Sequence, residues 1–93
     1  MLNPKFFLIV YRFIEYSAHE RYFWEKLDEL CPKYCDIKPG MAAVHGDFNL
    51  QQIYKSCCPA LDDSEYLFIF PVTRQYFPLD AKLQHYLDFG EPM

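Results

Sequence analysis

The chain has 93 residues, 52% of them hydrophobic and 24% charged, with a formal net charge of −4. That length holds one core, and that composition excludes a disordered chain, which is poor in apolar residues and strongly charged. No apolar run reaches the roughly 18 residues of a membrane-spanning helix, and the acidic balance disfavours non-specific nucleic-acid binding.

Residues 5–13 read as a strand, short, β-branched and aromatic, with Phe7, Ile9 and Tyr11 on one face and Phe6, Leu8 and Val10 on the other. A strand apolar on both faces is covered on both faces. Arg12 interrupts the second face at its end. The stretch before it offers only five consecutive apolar residues, too few for a secretory leader, so a cytoplasmic location is expected.

Ser17-Ala18-His19-Glu20 has the spacing of a capping box and predicts a helix over 18–31. Phe23, Leu27, Leu30 and Cys31 make its apolar stripe, Lys26, Asp28 and Glu29 its wet side, and Pro32 stops it. His19 is expected to be solvent-exposed in the first turn. Residues 33–38 and 41–46 read as two strands joined at the turn signal Pro39-Gly40. Asn49 with Gln52 forms a second cap. Leu50, Ile53, Tyr54 and Cys57 follow at helical spacing and predict a buried stripe, ending before Pro59. Asp62-Asp63-Ser64-Glu65 reads as a solvated acidic loop. Residues 66–73 are a strong strand, placed at a sheet edge by Pro71, which cannot donate to a ladder. In the tail, Pro78 suits a first helical turn, and Leu79, Leu83, Tyr86 and Leu87 share a face up to Gly90.

Strand, helix, strand, strand, helix, strand and a helical appendix make an α+β chain. The expected fold is the ferredoxin-like βαββαβ sandwich over 1–73, with 74–93 as its C-terminal appendix and the whole chain a single domain. Right-handed crossovers put both inner helices on one face of an antiparallel sheet. The other face then needs a cover. A second copy in a two-fold dimer is the expected one, and the tail helix is the alternative. Nine Phe, eight Tyr and one Trp exceed what a small core hides, which leaves two readings: a Phe-rich core with Tyr tips at the surface, or an aromatic protein–protein surface.

Candidate chemistry is sparse. Cys31 and Cys35 have three residues between them, a tolerable ligand spacing, but Cys57 and Cys58 are adjacent and cannot easily chelate one ion, so the four are read as thiols and no metal is assigned. His45 and Asp47 could form a base and its orienter, and a surface pair is the expected outcome. There is no glycine-rich phosphate loop among Gly40, Gly46 and Gly90, and no cofactor is assigned.

Phe7-Leu8-Ile9-Val10-Tyr11, the capped helix, the hairpin, residues 41–49 from Met41 to Asn49 with Ile53, and residues 61–70 from Leu61 to Phe70 together resemble a known family. It is that of the small ferredoxin-fold proteins related to the CRISPR adaptation subunit, including SinR-like and virulence-associated-protein-D-like chains. The resemblance covers about 70 residues and is a pattern of elements. It implies a dimer formed through the sheet. In nuclease-like members it implies an aspartate after the aromatic residue that ends the first strand, one from each subunit, holding a metal. This chain has Tyr11-Arg12 there, and a cation repels a metal site.

The expected function is therefore a non-enzymatic interaction module that binds another macromolecule, in the form of a small mobile-element or phage protein that blocks a host complex. The alternative is a metal-dependent nuclease of the resembled family, disfavoured by Arg12. Phe6, Leu8, Val10, Arg12 and Glu15 are the candidate binding residues, with Arg12 paired to Glu15 or to an acid of the partner. A homodimer with a protein partner is expected, with nucleic acid a disfavoured partner and no membrane involved.

Overall fold

The computed structural model describes residues 5–14, 17–72 and 80–92. In chain order the elements are β1 (Lys5–Arg12), α1 (Ala18–Leu30), β2 (Cys35–Lys38), β3 (Met41–Gly46), α2 (Leu50–Cys57), β4 (Tyr66–Val72) and α3 (Ala81–Phe89). The four strands form one antiparallel open sheet in the order β2-β3-β1-β4. The architecture is α+β and compatible with a ferredoxin-like fold. Pro71 lies on an edge strand, as its missing donor requires.

Both inner helices begin at side-chain caps. Ser17 Oγ accepts from the Glu20 amide at 3.2 Å. The expected return bond is not made there, because the Ser17 amide donates to Ile14 O at 3.0 Å instead. At α2 the box is complete: Asn49 Oδ1 accepts from the Gln52 amide at 2.9 Å, and Gln52 Oε1 accepts from the Asn49 amide at 2.8 Å. The β2–β3 turn needs Gly40, which sits at φ 90°, a conformation that strains any residue with a Cβ. Its carbonyl then accepts from the Tyr11 amide at 3.0 Å, tying the turn to β1.

The sheet is covered on two sides, by different means. On one face α1 and α2 lay Phe23, Leu27, Cys31, Ile53 and Cys57 over Phe7, Ile9, Ala42 and Val44. On the other, Tyr86 of α3 packs with Cys35, Ile37 and Ala43, joined by Phe6, Leu8, Met41 and Leu83. The tail helix, the alternative cover considered from the sequence, thus occupies the β2–β3 side of that face. It starts at Ala81, capped by Asp80 Oδ1, which accepts from the amides of Lys82 at 2.8 Å and Leu83 at 3.2 Å. Pro78 and Leu79, expected in its first turn, lie outside the described residues. Its ends are pinned by Lys38–Asp80 at 3.1 Å, by Lys33–Glu91 at 3.7 Å, and by His45 Nε2 donating to Gly90 O at 2.9 Å.

Three sequence expectations are corrected by the packing. Leu50 and Tyr54 do not join the buried stripe of α2, since α2 sits at the rim of the sheet and buries only Ile53 and Cys57. The acidic loop is not wholly solvated, because Glu65 is buried. His19 is half-buried, its Nδ1 2.8 Å from Glu65 Oε1.

Candidate interaction surface

The part of the sheet face that α3 leaves open lies over β1 and β4. The register sets Leu8 opposite Phe70, Val10 opposite Phe68 and Arg12 opposite Tyr66. Residues two apart on a strand share a face, so all six stand on one side of the sheet. Tyr66, Phe68 and Phe70 are exposed and form a row of rings, with centroids 5.4 Å apart for the first pair and 6.4 Å for the second. Leu67 and Ile69 alternate with them and pack on the helix-face core. The strand is apolar on both faces, like β1, but only one of its faces is filled.

The candidate binding residues divide accordingly. Phe6 is engaged by α3: it stacks on His45 at 5.1 Å and meets Tyr86 edge-on at 5.8 Å. Leu8 packs against the same cluster, half-buried. Val10 is half-buried on the open side, and Arg12 is exposed beside Tyr66. Among the described residues no carboxylate lies within ion-pair distance of Arg12. Glu15, its expected partner, lies outside the described residues. Arg12 instead borders a recess of about 350 Å³, walled by Tyr11, Phe13, Glu20, Pro39 and Tyr66. Burial pushes the Tyr11 phenol up to about 12, so it stays neutral at any ordinary pH.

The aromatic excess has two destinations. Tyr11, Phe13, Phe23, Trp24 and Tyr34 form a packed cluster with centroids 5.0–5.5 Å apart, which is core. Tyr66, Phe68 and Phe70 form the exposed row. The candidate residues read from the sequence lie on β1 and at Glu15, while the exposed aromatic row lies on β4, where the alternation Tyr66-Leu67-Phe68-Ile69-Phe70 carried its signal. Large rings at every second position on a strand fated for the edge leave one ring face unpaired.

A second groove, of about 410 Å³, runs on the other side of β4, between it and α2. It is lined by Leu50, Tyr54, Leu67, Phe68 and Ile69, with Gln51 and Lys55 at its rim.

Among the described residues, Glu65, His19 and the buried cysteines sit in structural surroundings. The Glu65 carboxylate accepts from the Asp62 amide at 2.9 Å, His19 Nδ1 at 2.8 Å and the Ile14 amide at 3.1 Å. The Asp62 amide, then His19 and the Ile14 amide, hold its pKa below the usual carboxylate range. His19, Asp62 and Glu65 are the metal-capable trio among the described residues, and three hydrogen bonds already engage both Glu65 oxygens in closing the loop. His45 and Asp47 do not form the expected surface pair: His45 Nε2 bonds Gly90 O, its Nδ1 is buried with no hydrogen-bond partner among the described residues, and Asp47 is exposed. Cys31, Cys35 and Cys57 are buried free thiols and Cys58 is half-buried. Burial pushes Cys57 up to about 12 and raises Cys35 and Cys58, which keeps these thiols protonated and poor nucleophiles.

Comparison with known proteins finds no matching family model, no matching curated protein and no matching solved structure.

Proposed function

We propose that this chain is a ferredoxin-like βαββαβ sandwich with a C-terminal helix that acts as a non-enzymatic interaction module. It binds a macromolecule, protein rather than nucleic acid, through the uncovered side of its sheet. The observation that carries this is the exposed row Tyr66, Phe68 and Phe70 standing beside Val10 and Arg12. Aromatic residues and arginine are enriched where interfaces concentrate their binding energy, and lysine and acids are depleted. No charged residue occurs between Tyr66 and Val72. The metal-dependent nuclease of the resembled family would need a carboxylate where this chain holds the Arg12 cation.

Affinity capture with the immobilised chain tests this. A protein held by wild type should be retained several-fold less by Phe68→Ser, which removes a central ring, and less by Arg12→Ala. Equal retention by wild type and Phe68→Ser would count against the surface. Cleavage of DNA or RNA by the purified chain with magnesium or manganese would count against the non-enzymatic role.

A further inference from the structure

We propose that the protein partner contributes an extended peptide segment, which adds as a further strand along the free edge of β4. Its alternate side chains enter the groove between β4 and α2, and one acidic residue meets Lys55. This rests on the proposed function above, whose aromatic row adjoins the same edge, and it names the class of ligand that the partner presents.

The two edges of the sheet differ in how they meet solvent. β2 has four residues, carries exposed Asp36 and Lys38, and is irregular between them. Short length, charge and irregularity are the devices by which edge strands avoid pairing. β4 has seven residues, Tyr66–Val72, and none is charged. Opposed residues in an antiparallel ladder alternate between pairs that exchange both backbone bonds and pairs that exchange none. The Tyr11 amide donates to Gly40 O in the β2–β3 turn, away from β4, so Tyr11 and Leu67 are a pair of the second kind. Ile9 with Ile69 and Phe7 with Pro71 follow at steps of two and are of the same kind. Pro71 therefore lacks only a donor that would have faced away from β1, as its place in a strand requires. The N–H and C=O groups of Leu67 and Ile69 face outward at the two-residue spacing that another extended backbone matches.

What flanks this edge sets the side chains of the added strand. On the helix side lies the groove of about 410 Å³, walled by Leu50 and Tyr54 of α2, both exposed, and by Leu67 and Ile69 of β4. Successive side chains of a strand point to opposite faces. Every second residue of the segment therefore turns toward this groove, and the residues between stand beside Phe68 and Phe70 of the row. Both surroundings favour apolar side chains. The rim of the groove is different: it holds Lys55, which is exposed and has no carboxylate within ion-pair distance among the described residues. A cation bordering an apolar trough selects a segment with an acid beside its apolar residues. A second β4 does not supply one, since no acid occurs between Tyr66 and Val72. In strand addition the backbone bonds give affinity, and the sites for alternate side chains give specificity.

A phage-displayed library of random octapeptides, selected on the immobilised full chain, supplies the probe. Selected peptides should be apolar at alternate positions and carry Asp or Glu. In the complex, the Leu67 and Ile69 amides should gain at least about tenfold protection from hydrogen exchange. N-methylating alternate residues of a selected peptide, those whose N–H groups meet β4, should weaken binding at least about tenfold, and N-methylating the residues between should cost far less. Lys55→Glu should lose about tenfold for the acidic peptide and recover it when the peptide's acid is changed to lysine. Phe89→Glu, on the exposed side of α3, should bind as wild type does. A library that yields no binder overturns strand addition. So does N-methylation without the alternation, or a complex in which the two amides exchange as before, which would make the groove a side-chain pocket alone. Protection that rises with the concentration of the chain by itself, together with a dimer mass in light scattering, gives the edge to a second copy and also overturns it. A captured protein that depends on Phe68 but survives Tyr54→Asp and Lys55→Glu overturns the edge site while the proposed function stands. Peptide binding with the alternation, beside a capture indifferent to Phe68 and Arg12, upholds the edge site while the proposed row fails.

Discussion

Glu65 follows Asp62, Asp63 and Ser64, all exposed, yet its own side chain is fully buried. The difference comes from partners that are distant in sequence. Ile14 and His19 approach from the far end of β1 and the start of α1, and the Asp62 amide closes the loop on itself. A carboxylate survives burial when donors engage it, and the same donors lower its pKa. The sign follows from linkage: on acidification the unfolded chain takes up a proton on Glu65 before the folded chain does, so stability rises with pH over that range. The contribution is complete above the ordinary carboxylate pKa and is lost as pH falls through the lowered folded value. Urea midpoints measured between about pH 5 and pH 3 should therefore fall more steeply for wild type than for Glu65→Gln. Parallel slopes would remove Glu65 from the acid response.

The short helix α2 depends on what it touches, since eight residues have little helical stability alone. Ile53 is fully buried between the two helices and the sheet, whereas Lys55 is exposed. Ile53→Ala should destabilise the domain by about 2–5 kcal/mol. Lys55→Ala should change stability by less than about 0.5 kcal/mol. Chemical denaturation of both checks the assigned face, and comparable losses would refute it. The periodicity of Leu50, Ile53, Tyr54 and Cys57 announced the helix correctly but overstated its burial. A period of 3.6 identifies a stripe, and the neighbouring elements decide how wide a stripe they cover. Here the sheet ends at β4, so Leu50 and Tyr54 overhang its edge and line the groove instead.

For the whole molecule, the decisive event is the return of α3 to the sheet face opposite α1 and α2. Tyr86 is fully buried there, its hydroxyl 3.7 Å from Cys31 Sγ and its ring against Phe6 and His45. Burial raises the phenol's pKa far above its ordinary value, so it remains a neutral, mostly apolar filler. Tyr86→Ala should cost about 3–5 kcal/mol, in the range of large aromatic truncations, and should increase binding of a hydrophobic dye as Phe6 and Ala43 lose their cover. Tyr86→Phe should cost no more than about 1.5 kcal/mol, because its nearest thiol is a weak partner. Thermal or urea unfolding of the two variants measures both. A silent Tyr86→Ala would mean that α3 contributes little to the fold.

What the sequence determined by itself was local. Alternation marked the strands at Phe6–Tyr11 and Tyr66–Phe70, caps at Ser17 and Asn49 started two helices, and Pro39-Gly40 turned the hairpin. These signals act over a few residues, so one chain read in order displays them. The tertiary structure alone decided how much of the second sheet face α3 covers, which leaves the Tyr66–Phe68–Phe70 row bare. It also decided that Glu65 is buried, and that Arg12 borders a recess of aromatic side chains. Each of these depends on contacts between segments some 45–55 residues apart, such as His45 with Gly90 and His19 with Glu65. No local period encodes which of two apolar faces a distant helix will reach, because burial on either face satisfies the same hydrophobic pattern.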